Sequence, residues 1–253
     1  GAQGVELKRV RDDYPALLER CLLAAAHHAS LTVLTEHYLK LLSAGNGTYY
    51  AYGKSGKFTK YLGDGEMADI EKGYMCTSAE GDYRKWYVKS IKPDGDNYFG
   101  ILPTDAAGGK FYATFYAAFP VSAYSSGIKF YYISTVDDGM AVKQEITGTV
   151  PAGVPVLVEC SHADVSSNRL NLGGSGSAPS GNLLKGVYFN NDDGAHTNRT
   201  AYTPKTMRLL GTCKDGSIGF VTSSASYIPS NSAYITVPEG SDAEFKIVTE
   251  EEY

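Results

Sequence analysis

Hydrophobic and polar positions along the chain change their period twice. From about residue 14 to 44 apolar residues recur at spacings of three and four. Tyr14, Leu17, Cys21, Ala24, His28 and Leu31 make one stripe, and Leu34, Tyr38, Leu41 and Leu42 make a second, slightly shifted one. That spacing predicts an amphipathic helical segment. Pro15 suits its first turn, Asp12 and Asp13 are cap candidates, and Gly45 is placed as a C-cap.

After Gly47 the period shortens to two. Thr48–Leu62 reads as two short strands around Gly53-Lys54-Ser55-Gly56, a hairpin signal. Arg84–Ile91 and Tyr98–Leu102 read as strands separated by the turn Lys92–Asn97. Thr104–Lys110, "TDAAGGK", is small and flexible in composition and is placed as a domain boundary. Beyond it lie strand signals over 110–124, 128–135 and 141–148. Val154–Val158 is a solid apolar run, which predicts a strand covered on both faces. "VPAGV" leads into it, with Pro151 expected second and Gly153 fourth in a turn. Pro229 in "YIPSNSAYI" stands in the same relation to its own strand, where a missing N–H removes no ladder bond. Two stretches, 166–182 and 189–204, are polar enough to read as long loops. The pattern as a whole predicts a mainly β chain: an N-terminal helical segment (1–46), a small antiparallel β region (47–108) and an antiparallel β-sandwich (109–253).

Composition supports strands and narrows the chemistry. The 253 residues include 20 Tyr and 28 Gly against one Trp. With 23 basic and 28 acidic residues the net charge is −5, which leaves no cationic footprint for nucleic acid. No apolar run reaches the ~18 residues of a membrane-spanning helix. The start "GAQGVELK" fits an exported chain whose leader has been removed. The four cysteines, Cys21, Cys76, Cys160 and Cys213, show no CxxC spacing and read as small buried thiols; Cys160 with Cys213 is the pair to check for a disulfide.

Motifs that carry chemistry do not assemble. "GKS" at Gly53–Ser55 lacks a Walker A loop because Thr48 stands where its first glycine belongs. Gly173–Gly181, "GGSGSAPSG", contains no G-x-S-x-G and reads as a loop. His27, His28 and His37 lack the HExxH arrangement, and His162 and His196 fall in loops. "PDGDN" and "NNDDG" lack the spaced calcium-loop pattern and read as solvated turns. No catalytic residue, cofactor or metal ligand is assigned. Aromatics, by contrast, crowd into residues 48–102. Tyr52, Tyr61 and Tyr87, flanked by Lys54, Lys57, Lys60 and Lys85, are the candidate ligand-binding residues, because planar rings with polar tips stack on sugars.

From about residue 109 to 248 the sequence resembles the C-terminal β domain of secreted and surface proteins of gut Bacteroidetes. The resemblance rests on Tyr112-Ala113-Thr114 with Tyr116, Pro120, Ala123-Tyr124, Val150-Pro151-Ala152-Gly153, Val156–Val158, Asn182–Gly186, Gly219-Phe220, Ile228-Pro229 and Ala233-Tyr234. Glu159-Cys160 departs from the Lys-Gly usual there, and Val221 from an aromatic. The resemblance implies an exported protein of the cell envelope or extracellular space and brings no catalytic residues. Residues 47–107 partly resemble a ricin-type β-trefoil through "GKFTKYL" and "KWYV", although Arg84 replaces a Gln and the stretch is too short for three repeats. The expected function is a non-catalytic adhesion or glycan-binding module whose partner is a glycan or a host surface protein. The alternatives are a secreted glycoside hydrolase or accessory enzyme domain, and a structural spacer.

Overall fold

A computed structural model of the chain describes residues 40–45, 48–55, 58–61, 85–87, 91–187 and 200–253. The expected helix over 14–39, Cys21, Cys76, His27, His28, His37, His196 and most of the polar stretch 189–204 lie outside the described residues. The chain divides into two compact units, 1–97 with 193–197, and 98–192 with 198–253.

The first unit contains a four-stranded sheet of β1 (Lys40–Gly45), β2 (Thr48–Ser55), β3 (Phe58–Tyr61) and β4 (Lys85–Tyr87). All its pairs are antiparallel, and all involve β2. The expected hairpin is present as β2–β3, but its reversal comes later than the sequence suggested: Gly53, Lys54 and Ser55, read as turn residues, are in β2 and pair with Lys60, Thr59 and Phe58. Residues 40–44 correct the sequence reading, which carried the helix to this point. "KLLSAG" is a strand, and Gly45 takes part in a register irregularity opposite Thr48 instead of capping a helix. A short apolar run fits either period, and here backbone pairing with the β-branched and aromatic β2 decides.

The second unit is built from strands and turns. Its strands are β5 (Phe99–Gly100), β6 (Asp105–Ala107), β7 (Lys110–Phe115), β8 (Val121–Ala123), β9 (Ile128–Asp137), β10 (Met140–Ile146), β11 (Val156–Cys160), β12 (Arg169–Leu172), β13 (Leu184–Val187), β14 (Met207–Thr212), β15 (Ile218–Val221), β16 (Ser232–Thr236) and β17 (Glu244–Val248). Ten of them form one curled sheet in the order β13-β16-β14-β15-β17-β10-β9-β11-β7-β6; β5, β12 and β8 form a second, smaller sheet. One pair in the large sheet, β10 with β17, is parallel, so the sheet is mixed and not purely antiparallel. The curl brings β6 and β7 against β14, β15 and β16. Gly108 and Gly109, both at positive φ, make the tight turn between β6 and β7. β12 lies in a stretch read from sequence as loop: Leu170 is fully buried and pairs with Phe99 on β5 and Ala123 on β8.

β11 is covered on both faces, as the solid apolar run requires. Val156, Leu157 and Val158 are all 0 % exposed. Val156, Val158 and Cys160 pack with Ala113, Phe115, Phe130, Val121 and Leu170, the core shared with the small sheet. Leu157 points the other way, into the interior of the curl with Tyr131, Ile133, Phe220 and Ile235. Each such side chain contributes roughly 1.5–3 kcal/mol by leaving water.

The two proline turns share one geometry. Val154 N–H donates to the Pro151 carbonyl and Gly153 sits at φ 73°, so Pro151 is first and Gly153 third, one place earlier than the sequence suggested. A left-handed third residue is what a type II turn needs. In Pro229–Ser232 the third residue is Asn231, at φ 53°. Both turns grip the segment between β7 and β8. Gly153 N–H donates to the Ala117 carbonyl, while Tyr116 N–H donates to the Asn231 carbonyl and Asn231 Nδ2 donates back to the Tyr116 carbonyl.

Candidate functional site

Several of the motif residues singled out in the sequence make internal contacts around that gripped segment and the strands beside it. Thr114 Oγ1 accepts from the Ala233 N–H of β16 at 3.0 Å. The Tyr116 ring lies directly on Gly186 of β13, where any Cβ would overlap it. Asn182 Nδ2 donates to the Pro155 carbonyl at 2.9 Å, and its Oδ1 accepts from the Leu184 N–H at 3.0 Å. These polar side chains hold neighbouring parts of the curled sheet together and have their hydrogen bonds inside the protein. They are structural, which accounts for motifs that carry no chemistry.

One cluster of titratable groups crosses the inner face of the curl. Lys143 on β10 reaches across β9 to Glu159 on β11, with Nζ 3.0 Å from Oε2 and side chains only 15 % and 14 % exposed. Nζ also lies 4.4 Å from the centre of the Tyr131 ring. Tyr112, directly opposite Glu159 in the ladder, hydrogen-bonds it. Burial, and then the Glu159 charge, push the Tyr112 phenol up to about 12; the same two causes raise Tyr131 further. Both phenols are therefore held neutral, away from the range in which a tyrosine acts as a base. The cluster is a satisfied polar network inside an apolar wall. Burial likewise raises the Cys160 thiol, to about 12, which opposes nucleophilic use. Cys160 and Cys213 are both buried and free, so the pair singled out in the sequence is not bonded.

The long Gly/Ser stretch forms a wall, not a nucleophile turn. Gly176 approaches the Thr149 backbone so closely that a Cβ would meet its carbonyl, and Gly174 packs on the Thr149 side chain. This close approach fixes the loop beside the end of β10. Between them lies an open cleft of about 570 Å3 lined by Tyr132, Glu145, Thr147, Thr149, Ser175 and Ser177, among others.

In the first unit, the ladder relates the three tyrosines expected to bind ligand. Tyr52 stands directly opposite Tyr61, and Tyr87 opposite Thr48. Residues 48, 50 and 52 alternate onto one face of β2, so Tyr52, Tyr61 and Tyr87 occupy register positions on a common face. Lys54 and Lys85 hold positions on that face also, whereas Lys60, opposite Gly53, is on the other.

Among the described residues no group of three or more His, Cys, Asp and Glu is placed to hold a metal ion, and no helix is long and apolar enough to cross a membrane. Comparison of the chain with protein-family models, with characterised proteins and with solved structures finds no match.

Proposed function

We propose that the chain is a non-catalytic glycan-binding or adhesion module of an exported bacterial surface protein. The observation that carries this reading is the common register face of Tyr52, Tyr61 and Tyr87. Tyrosines at register positions on one face of a small sheet suit a surface that stacks against sugar rings, and Lys54 and Lys85 share those register positions. In this reading the second unit is a sandwich-type scaffold, its small sheet covering β7, β9 and β11. The family-like motifs, which serve internal hydrogen bonding, fit such a role. They also fit the competing reading of a structural spacer without a ligand.

The test is titration of neutral polysaccharides against the wild-type chain and a Tyr52/Tyr61/Tyr87→Ala variant. Binding by wild type that falls at least tenfold in the variant supports the reading. Binding that survives the triple change removes the tyrosine face, and absence of binding by the wild type favours the spacer.

A further inference from the structure

We infer that the tyrosine face of the first unit takes acidic polysaccharides in preference to neutral ones, with Lys40, Lys54 and Lys85 as the residues that select the charge. That selectivity rests on the glycan-binding reading of the face and adds the class of glycan to it.

Strand register brings these residues together. Lys40 of β1 and Tyr61 of β3 both pair with Tyr52, so Lys40, Tyr52 and Tyr61 share one row across the sheet. Leu42 of β1 and Lys85 of β4 both pair with Tyr50, which makes the next row, ~7 Å along β2. On either side of these rows Lys54 pairs with Thr59, and Thr48 with Tyr87. Ladder partners share a face, and the face alternates along each strand. One register face therefore holds Tyr50, Tyr52, Tyr61 and Tyr87 together with Lys40, Lys54 and Lys85. None of the four strands contains Asp or Glu.

The opposite register face holds Leu41, Tyr49, Ala51, Phe58 and Trp86, and of the lysines in these strands only Lys60 falls on it. The chain as a whole has 23 basic and 28 acidic residues, a net charge of −5. A sheet with lysines and no carboxylates is thus a local departure from an acidic chain, and it coincides with the tyrosine positions. An ammonium beside a stacking surface makes a charge-assisted hydrogen bond to a carboxylate or sulfate on a sugar, whereas a neutral sugar offers it only hydroxyls. Three such pairs at the strength of surface ion pairs amount to about tenfold in affinity. Single-stranded nucleic acid presents stacking bases and phosphates to the same residue types, but the net charge of −5 disfavours it.

The experiment is an affinity titration of the full chain with two matched pairs of polymers: polygalacturonate with its full methyl ester, and dextran sulfate with dextran. Salt is set at ~20 mM and then at ~500 mM, where surface charges are screened. In at least one pair the acidic polymer should bind about tenfold more tightly at low salt, and the gap should close at high salt. Lys40/Lys54/Lys85→Gln should bring the acidic polymer down to the level of its neutral counterpart. Binding of the neutral polymer should stay unchanged in that variant, which also shows that it is folded. Lys40/Lys54/Lys85→Arg should keep the preference, and Tyr52/Tyr61/Tyr87→Ala should weaken both polymers. Equal binding of acidic and neutral polymers in both pairs, or a preference that survives the Gln variant, overturns the charge selection and leaves the tyrosine face standing. No binding by wild type, or binding of both polymers that survives the tyrosine variant, removes the tyrosine face and the charge selection with it. A uridylate oligomer that binds more tightly than either acidic polymer, and is lost in the tyrosine variant, overturns the assignment to glycans.

Discussion

Replacing Lys143 with methionine should destabilise the second unit by about 3 kcal/mol. The loss is set by what remains. Glu159 keeps its place on the inner face of the curl, with a side chain 14 % exposed, but loses the cation 3.0 Å away. Breaking a buried ion pair by removing one partner costs about 3–5 kcal/mol. Two features hold this case near the lower end. Some water still reaches both groups, and Tyr112 continues to hydrogen-bond the carboxylate. Loss of the ammonium over the Tyr131 ring adds about 0.5–1 kcal/mol. Lys143→Met with Glu159→Leu should behave differently. With both charges gone the wall becomes continuous apolar surface, and the double variant should lie within about 1 kcal/mol of wild type. Urea unfolding followed by tryptophan-independent far-UV signal gives the three free energies, and an unchanged m-value shows that one transition is being compared. A Lys143→Met cost below about 1 kcal/mol, or a double variant less stable than either single one, would refute the argument that this pair is a desolvated, mutually dependent unit.

Gly186→Ala should cost about 1–3 kcal/mol, since the Tyr116 ring occupies the space of the new methyl, and Tyr116→Ala in the same chain should relieve most of that penalty in a thermal-melting cycle. Arg208→Lys should be as damaging as a large core truncation. The guanidinium is 3 % exposed and donates to the carbonyls of Pro204, Met207, Ser241 and Asp242, a fork an ammonium cannot reproduce; a loss of about 3 kcal/mol lowers Tm by about 6–12 °C. Stability should also fall in alkali. The Tyr112 phenol is near 10 unfolded and is raised to about 12 when folded, so above pH 10 the unfolded chain releases a proton that the folded chain retains. The contribution is complete below pH 10 and is lost between 10 and 12, and Tyr112→Phe should flatten that part of the unfolding profile.

Local signals were the legible ones. The run Val154–Val158 announced a strand with cover on both faces, and the buried Val156, Leu157 and Val158 supply it. Asp138-Gly139 and Lys92–Asn97 likewise turn where their composition says they should. Two elements were misread because their windows are short. "RLNL" alternates correctly for β12, but four residues among serines and glycines do not outweigh the surrounding loop composition. "KLLSAG" continued a helical stripe, yet pairing with β2 makes it a strand. The third class was not legible from local patterns. Lys143 and Glu159 meet across an intervening strand, the Tyr116 ring meets Gly186 seventy positions on, and the cleft exists because a glycine loop lies on Thr149. Such features depend on strand order and on the curl of the sheet, which periodicity does not encode. The proline turns lie between these classes: both were evident in the sequence, but their common hold on Tyr116 and Ala117 was not.

Glycan binding without chemistry is the function proposed above for this chain. The most direct measurement runs the purified full chain by native electrophoresis through gels containing a panel of neutral polysaccharides, and assays the same mixtures for newly formed reducing ends. Retarded migration in at least one polysaccharide gel, with no release of reducing ends over the course of the assay, is the expected result. Unretarded migration across the whole panel, or reducing ends that accumulate with time and protein concentration, would contradict it.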